Sequence, residues 1–464
     1  MKTAAHQLAD YVTTFKYEDL PQATLNHAKL CLLDAICVGL ASTEKPWSHA
    51  ALDFARHQGG NPHATVWLHG DKVPDVNAAL VNAVFVHSMD FNDDLAGIQV
   101  GGVIPTTALA VGESVGASGQ DILAAIILGY DVATRTAMAM NSQGLYLRGL
   151  QPTAVCGSFV AAAVAGRLLK LDSDQLLNAF GIAGSYAGGT IEFLEAGSDT
   201  KRYHVAKAAQ GGIVSAHLAK RGMTGPKTIF EGNFGVLKAY SGSNDAARLA
   251  EELGQRFDIL QTSFKKYPFC DGNAAPLEAA IQITRDNGIA IDDIESINFR
   301  IKTFLIPYTI DYFGDRVRKF RPQNELDAQM SLPYCVAVGL RNGGTVKLSD
   351  FDAEQLGNPE TLKLADRMTA EADAELDKIP LLPMSMPSIC TLTTKDGRSF
   401  EARVDYQKGD PRNPFTLNEF REKFDTCLRE LLPESQGAEI FQAGMALESQ
   451  ADIRAFVRLL VRKG

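Results

Sequence analysis

Apolar residues recur at intervals of three and four along most of the first 260 positions of the chain. That spacing predicts helices that bury at least one face. Alanine and glycine are frequent in the same segments, as in Ala161-Ala162-Ala163 and Ala208-Ala209, and such small side chains let helices approach one another closely. The predicted helices cover residues 25–40, 78–87, 106–115, 122–140, 158–169 and 206–220. The pattern therefore indicates a large all-helical domain.

After about 260 residues the pattern changes. A helix is predicted at 275–286, a strand at 294–303 and another helix around 327–340. Residues 385–405 show β-branched alternation on both sides of Lys395-Asp396-Gly397, and this combination predicts a hairpin. These elements together indicate an α+β domain.

The helical pattern returns at Thr416, and we expect this last segment to pack back onto the first domain. The predicted fold class is mainly α, with a large all-helical domain plus a smaller α+β domain. In residue numbers, the helical domain is discontinuous, 1–263 and 407–464, and the α+β domain spans 264–406.

Composition narrows the possible functions. A chain of 464 residues with 45% hydrophobic and 22% charged residues is typical of a globular protein of about two domains. The net charge of −10 argues against nucleic acid as a partner, because phosphate binding needs a basic surface. Small anionic substrates remain possible, since they respond to local charge only.

Location is predicted from the termini, the apolar runs and the cysteines. The N-terminus lacks the apolar core of a signal peptide, and apolar runs such as 122–130 are interpreted as too short to span a membrane. The seven cysteines are scattered without a CxxC pair, which favours reduced thiols and offers no zinc framework. We therefore expect a cytoplasmic protein without a membrane partner.

The run from His87 to Asp94 is the first candidate for chemistry. Asp90, Asp93 and Asp94 follow His87 closely and lie next to valine and phenylalanine. Like charges and apolar surroundings both raise carboxyl pKa values, so the cluster predicts nearby cations or a role in proton transfer. A solvated acidic helix end is the alternative, and no loop signature supports a metal site here.

A second candidate is the loop that contains Tyr146, Arg148 and Gln151 and leads into a helix near Ala154. Polar groups at a helix N-terminus can bind a carboxylate, because the helix dipole favours anions there. Ordinary loop polarity explains the pattern equally well.

A third candidate, Lys201-Arg202, precedes an alanine-rich helix. Both residues are natural counter-cations for the aspartates, and a lysine in an apolar pocket can lose its proton and act as a base. His204 follows them, and a capping or packing role is the alternative for it.

The fourth candidate is Lys265 with Cys270 at the domain junction, where substrate clefts often form. A linker with solvated lysines is the alternative. Cysteine catalysis is disfavoured because no histidine follows Cys270 in the chain. Glycine-rich nucleotide motifs are absent from the sequence.

Seven short motifs occur in a fixed order along nearly the whole chain. They are His87-Ser88-Met89-Asp90-Phe91 with Asp93, Gln151-Pro152-Thr153-Ala154 with Gly157, Thr200-Lys201-Arg202 through His204 to Ala208-Ala209, Lys220-Arg221-Gly222 with Thr224-Gly225-Pro226, Lys265-Lys266-Tyr267-Pro268, Ser331-Leu332-Pro333-Tyr334 and Gly409-Asp410-Pro411. In this order they resemble the MmgE/PrpD family, which includes 2-methylcitrate dehydratase, cis-aconitate decarboxylase and iminodisuccinate epimerase. The resemblance implies a homodimer that acts on a small polycarboxylate, without a cofactor, at the carbon next to a carboxylate.

By resemblance, Asp90, Lys201, Lys265 and Tyr334 line the cleft between the domains, and Asp94 stands where a threonine is common. The chain departs from the family at three histidine positions. The first lies in the stretch that here runs Gly97-Ile98-Gln99-Val100-Gly101-Gly102, the second is Gln151, and the third falls in Cys270-Asp271-Gly272-Asn273.

Histidine is well suited to donate a proton to a departing hydroxyl near neutral pH, so its loss disfavours dehydration. We therefore expect an epimerase or isomerase similar to iminodisuccinate epimerase. A hydro-lyase or decarboxylase is the first alternative, and an inactive homologue that binds a metabolite is the second. The expected catalytic residues are Lys201, Tyr146 and Asp90, and the expected substrate-binding residues are Asp93, Asp94, Arg148, Gln151, Lys265, Tyr334 and His204.

Overall fold

The computed structural model describes residues 2–242, 245–380 and 385–463. The first part of the chain forms eleven helices in this description, with one short two-stranded ribbon between the third and fourth. The helices are α1 (Ala4–Thr14), α2 (Gln22–Leu40), α3 (Pro46–Gln58), α4 (Asp75–His87), α5 (Ile104–Val115), α6 (Gly119–Ala139), α7 (Ser142–Leu147), α8 (Pro152–Leu168), α9 (Ser173–Ala183), α10 (Phe193–Ala196) and α11 (Thr200–Lys220), and the ribbon pairs β1 (Ala64–Thr65) with β2 (Lys72–Val73).

Helices α8 and α11 lie at the centre of this domain, where α11 packs against α8, α4 and α9, and α8 also packs against α6. Their contact depends on small residues. A Cβ atom added to Gly157 would lie 2.9 Å from the Cβ of Ala208, and one added to Gly212 would lie 2.4 Å from that of Ala161. The close helix packing predicted from alanine and glycine content is therefore present.

Two helices, α2 and α6, are long and apolar enough to cross a membrane by length and composition alone. The most apolar window of α2 is 78% buried inside the protein and that of α6 is 94% buried. The expectation that the run at 122–130 is too short was wrong for α6, which extends over 21 residues. Its apolar character is instead explained by burial against other helices.

The second domain is built around a four-stranded sheet of order β4–β3–β5–β6, in which β3 pairs parallel to β4 and antiparallel to β5. Its elements are α12 (Ala274–Asn287), β3 (Ile294–Ile301), α13 (Ile306–Thr309), α14 (Arg316–Phe320), α15 (Glu325–Gln329), α16 (Leu332–Arg341), α17 (Ala353–Leu356), α18 (Pro359–Ala365), β4 (Met368–Ala372), α19 (Ala374–Asp377), β5 (Ser388–Thr394) and β6 (Ser399–Val404). Helix α12 covers β5 and β6 and also contacts α16.

The predicted hairpin is the antiparallel pair β5–β6, and the predicted strand is β3. The helix predicted around 327–340 is divided into α15 and α16, because the Ser331 side chain accepts a hydrogen bond from the Tyr334 amide and starts a new helix. Strand β4 was not predicted, since its mostly exposed Met368–Ala372 segment contains a single β-branched residue.

The last helices are α20 (Leu417–Leu428), α21 (Glu434–Met445) and α22 (Arg454–Leu459), and the first two pack against α2 of the helical domain. Lys423 on α20 forms a 2.6 Å ion pair with Asp34 on α2. The return of the chain to the first domain is thus visible in its contacts, while the boundaries at 263 and 407 stay predictions. The fold class, mainly α with a smaller α+β part, is confirmed.

Candidate active site

A cavity of about 170 Å³ lies between the helical domain and the α+β domain. Polar side chains from both domains line it, and apolar side chains form much of its wall. The polar residues are Asp90, Asp94, Gln99, Ser142, Gln143, Tyr146, Gln151, Thr153, Lys201, Lys265, Cys270, Asp271 and Tyr308, and the larger apolar ones are Leu147, Phe193, Leu194, Phe304, Leu305, Met330 and Met386.

Asp90 projects into this cavity from the turn that follows α4. The helix ends at His87, and Asp90 adopts a left-handed backbone conformation with φ of +51°, which is uncommon for residues other than glycine. The surrounding structure holds this turn, because Lys265 Nζ donates to the Asp90 carbonyl at 3.0 Å and Gln329 Nε2 donates to the Met89 carbonyl at 3.0 Å. A strained backbone fixed by side chains from another domain is typical of functional sites.

Two buried lysines converge on the Asp90 carboxylate. Lys201 Nζ lies 2.9 Å and Lys265 Nζ lies 3.1 Å from the same oxygen, Oδ1. Burial alone would raise the pKa of Asp90, but the two ammonium groups lower it well below its usual range. Asp90 is therefore ionised, and it is the anchor of the site rather than a proton donor.

The two lysines differ in how fully their donors are used. Lys265 Nζ donates to the carbonyl and Oδ1 of Asp90 and to the Phe269 carbonyl at 3.3 Å, which occupies all three of its hydrogens. Burial acts to lower the pKa of Lys265, but Asp90 and Asp271 outweigh it, so that the pKa is raised. Burial lowers the pKa of Lys201, and the Lys265 charge adds to the effect while Asp90 opposes it. Lys201 is thus the better proton carrier of the two.

His87 belongs to this site although it was not among the predicted site residues. Its Nδ1 lies 3.0 Å from Asn92 Oδ1, and Asn92 uses its own Nδ2 to donate to the Asp93 carbonyl. The ring therefore donates through Nδ1 and presents an unprotonated Nε2 to Lys201 Nζ, 3.4 Å away. Burial and then the Lys201 charge lower the pKa of His87 well below its usual value, so the ring is neutral.

Gln99 is a second residue that sequence reasoning missed. Its Nε2 donates to Asp90 Oδ1 at 2.6 Å, and its backbone amide donates to the Thr153 hydroxyl at 3.0 Å. The sequence signal for Gln99 is its position in the stretch after the aspartates, where the family resemblance implies a histidine. The structure instead places an amide donor on the Asp90 carboxylate there.

The three aspartates do not share one set of cations. Asp93 points away from the cavity into the helical core, where its Oδ2 accepts a hydrogen bond from the Tyr130 hydroxyl. Burial, with a smaller contribution from Asp34, raises the pKa of Asp93 to about 7. The predicted substrate-binding role is therefore not supported by the position of Asp93, because sequence spacing alone does not show that neighbouring side chains diverge.

Gly101 permits the close packing of Asp93. A Cβ atom at residue 101 would lie 2.0 Å from Asp93 Oδ1. We expect Gly101→Ala to lower the free energy of unfolding by about 1–3 kcal/mol, as overpacking does in other cores. Urea unfolding measures the change. The matched control is Gly357→Ala, because an added Cβ there has no atom within 4 Å and the backbone φ is not positive. Wild-type stability in both variants would contradict the packing argument.

Tyr146 and Gln151 both line the cavity. Tyr146 lies on α7 and packs edge-to-face on Tyr308 with ring centroids 4.9 Å apart. Burial, then Cys270 and Tyr308, raise its pKa well above the usual value. Gln151 directly precedes Pro152, the first residue of α8.

His204 is not among the residues that line the cavity. Its Nδ1 lies 2.8 Å from Gln151 Oε1, and its ring packs edge-to-face on Phe193. Burial lowers the pKa of His204 to about 4, so the neutral ring donates to Gln151 and orients it. His204, which was expected to bind substrate, instead holds the Gln151 side chain in place through this hydrogen bond.

Three predicted side chains make other contacts. Arg148 is exposed and outside the cavity, where it donates to the Gly144 carbonyl at 3.4 Å. The Tyr334 hydroxyl donates to the Asp350 carbonyl at 2.8 Å inside the second domain. Arg202 donates to the Ser88 carbonyl at 3.0 Å and lies 3.9 Å from the centre of the Trp47 ring. It therefore stabilises the turn that contains Asp90 and is not a counter-cation of the aspartate cluster. In each case a hydrogen bond to a backbone carbonyl fixes the direction of the side chain, and that direction could not be predicted from its position in the sequence.

Within the described ranges, histidine, cysteine, aspartate and glutamate side chains form no group of three or more arranged to hold a metal ion.

The fold and the cavity define a two-domain protein with a buried acid–base site at the domain junction. The chain belongs to the MmgE/PrpD family: the MmgE/PrpD N-terminal domain matches residues 6–249, and the MmgE/PrpD C-terminal domain matches residues 267–448. The C-terminal family domain thus extends beyond the boundary predicted at residue 406.

Curated relatives match the chain over almost its full length. The cis-aconitate decarboxylase-like protein oryM of Aspergillus oryzae is 28% identical over 98% of this chain and 96% of its own. The cis-aconitate decarboxylases of Mus musculus and Homo sapiens are each 27% identical over 99% of this chain, and the match covers 94% and 95% of those proteins. These relatives carry the names of lyases, whereas an epimerase was the first expectation from the sequence.

Proposed function

We propose that this protein is a cofactor-independent lyase, of the decarboxylase or hydro-lyase type, that acts at the carbon next to a carboxylate of a small polycarboxylate. The observation that carries the proposal is the buried Lys201–Asp90–Lys265 group in a cavity with apolar walls. The names of the relatives support the lyase class over the epimerase class.

The charges of the cavity suit an anionic substrate. Asp90 neutralises one of the two lysines, so one positive charge remains in the cavity when both lysines, Asp94 and Asp271 are protonated. Lys201 uses two of its three hydrogens on Asp90 and His87, so one remains for a substrate carboxylate. A charge-assisted hydrogen bond of this kind fixes a carboxylate firmly in a water-poor site.

The apolar wall favours loss of a neutral fragment. Phe193, Leu305 and Met386 offer no hydrogen bonds to a charged group, so a carboxylate held against them loses its solvation. Departure of the carboxylate as carbon dioxide removes this unfavourable contact, and Lys201 can balance the charge that develops on the remaining carbon.

The direct test is incubation of the enzyme with cis-aconitate and a panel of other di- and tricarboxylates in D₂O. For a decarboxylase we expect carbon dioxide release with deuterium on the carbon that loses it, detected by NMR, and for a hydro-lyase we expect a change in ultraviolet absorbance from the new double bond. Deuterium exchange with inversion of configuration, without a lyase product, would overturn the lyase proposal and establish an epimerase.

An epimerase is the second candidate because of one observation. Lys201 on α11 and Tyr146 on α7 line the same cavity, so two proton carriers reach it from different helices. Epimerisation needs a base on each face of the carbon and no leaving group. The D₂O experiment separates the two candidates in one measurement.

A further inference from the structure

Asp94 and Asp271 face the same cavity from the two domains. Asp94 is fixed by a backbone bridge to Ser263, with both N···O distances at 2.9 Å, and Asp271 begins the turn that leads into α12. Their exposed fractions are 6% and 8%, so each is more than nine-tenths buried.

In each carboxyl group, one of the two oxygens accepts a hydrogen bond from the protein. Asp94 Oδ1 accepts from the Gly97 amide at 3.2 Å, and Asp271 Oδ2 accepts from Gln407 Nε2 at 2.9 Å. The second oxygen of each has no hydrogen-bond partner in the part of the chain that the structure describes. A carboxyl oxygen that accepts no hydrogen bond from the protein, on a mostly buried side chain that lines a cavity, is available to a ligand or to a proton.

The surroundings favour the protonated form of both groups. Burial, followed by the charge of Asp271 and a smaller effect of Asp93, raises the pKa of Asp94 well above its usual value, and Lys265 opposes the shift. Burial raises the pKa of Asp271 to about 6; Lys265 lowers it, and Asp90 and Asp410 add to the increase. Near neutral pH the two groups therefore retain at least part of their protons.

Other groups at the cavity are less suited to give up a proton. Burial raises the pKa of the Cys270 thiol to about 11, and that of Tyr146 lies above its usual value. His87 lies behind Lys201, and His204 lies behind Gln151. A general acid works best when its pKa is near the working pH. The pKa of Asp271, about 6, meets that condition, and the pKa of Asp94 is raised in the same direction.

We propose that Asp94 and Asp271 together supply the general acid of this site. The inference rests on the lyase function proposed above.

The proton transfer can be written for both lyase reactions. In decarboxylation, the C–C bond breaks, carbon dioxide leaves, and the electron pair on the α-carbon takes the proton of the carboxyl group to form a C–H bond. In dehydration, a base removes the α-proton, the C–H electron pair forms the C=C bond as the C–O bond breaks, and the departing hydroxyl takes the carboxyl proton to leave as water; the base then releases the α-proton to solvent. In either case the resulting carboxylate regains a proton from solvent.

The test compares Asp94→Asn, Asp271→Asn and the double variant with wild type on the polycarboxylate that proves to be turned over. Asparagine has the shape and zero charge of a protonated aspartate, so we expect KM to stay within about threefold while kcat falls about 10²-fold in the double variant. In wild type, kcat is high at low pH and falls as pH rises through about 6, because the acid must be protonated; the double variant should lack this decline.

Asp286→Asn is the matched control, because Asp286 lies on α12 but is paired with Arg285 on the surface. Thermal unfolding at pH 8 checks folding: an ionised, buried Asp271 destabilises wild type there, so Asp271→Asn should melt at the same temperature or higher. If Asp94→Asn is unstable, Asp94→Thr replaces it.

Wild-type kcat and an unchanged pH profile in the double variant would overturn the acid pair while leaving the lyase function in place. A wild-type enzyme without a lyase product would overturn the proposed function itself. A loss of activity with an unchanged pH profile would assign the pair a structural role and would also overturn the inference.

Discussion

Lys201→Met is expected to lower kcat at least about 10³-fold without unfolding the protein. The side chain lies in a cavity between the domains, contacts Asp90 and His87, and has one hydrogen left for a substrate. Methionine preserves its length and apolar stem but removes the proton carrier and the positive charge. Loss of a positioned acid–base group reduces rates by about 10²–10⁴-fold, and loss of the charge adds to it.

Steady-state kinetics on the identified substrate and on α-proton exchange measure this effect. Lys201→Arg separates charge from proton transfer: arginine keeps the positive charge but stays protonated, so KM should change little while kcat falls. Lys207→Met is the matched control, because Lys207 lies on the same helix but donates to the Gly188 carbonyl outside the cavity. Full activity in Lys201→Met would refute the assigned role under both the lyase and the epimerase proposals.

Lys265→Met is expected to lower the free energy of unfolding by about 3 kcal/mol. Lys265 is buried and makes three hydrogen bonds, two of them to the backbone carbonyls of Asp90 and Phe269. Its removal leaves both carbonyls without this donor and leaves the buried Asp90 carboxylate with one lysine instead of two. Breaking a buried ion pair by removing one partner commonly costs about 3–5 kcal/mol, and the Lys201 contact that remains keeps the effect near the lower limit.

Urea unfolding monitored by tryptophan fluorescence and circular dichroism measures the loss of stability. The neighbouring Lys266 provides the control, because it is exposed and Lys266→Met should be nearly neutral. Combining Lys265→Met with Asp90→Asn should destabilise less than the sum of the two single changes, since the unpaired carboxylate is then removed. Strict additivity would show that the ion pair itself contributes little.

The helical architecture was largely predictable, because apolar periodicity reports which faces of a helix are buried. Long helices such as α8 and α11 and the β5–β6 hairpin follow directly from local pattern and turn residues. Strand β4 was not predictable in this way, since it is held by parallel pairing with β3, which is distant in the sequence. The break before α16 depended on one side-chain cap at Ser331.

The candidate site was predictable in part. The sequence indicated that Asp90 needed cations and that Lys201 and Lys265 were available, and the structure brings all three together. It also suggested Arg202 as a counter-cation and Asp93 as a substrate ligand, and those side chains turn to Ser88 and Tyr130 instead. Spacing along a chain limits which residues can meet, but the turn after α4 decides the direction of each carboxylate.

The sequence by itself determined that this chain is a mainly helical, two-domain member of its family with a cluster of ionisable groups near the domain junction. Periodicity, turn residues and the order of motifs are properties of the sequence, and they can be recognised without knowledge of tertiary contacts. Only the tertiary structure decided which lysine is saturated, that neutral His87 lies behind Lys201, and that Asp94 and Asp271 share one cavity. Those properties depend on burial and on distances between residues far apart in the chain, and burial is what shifts their proton affinities.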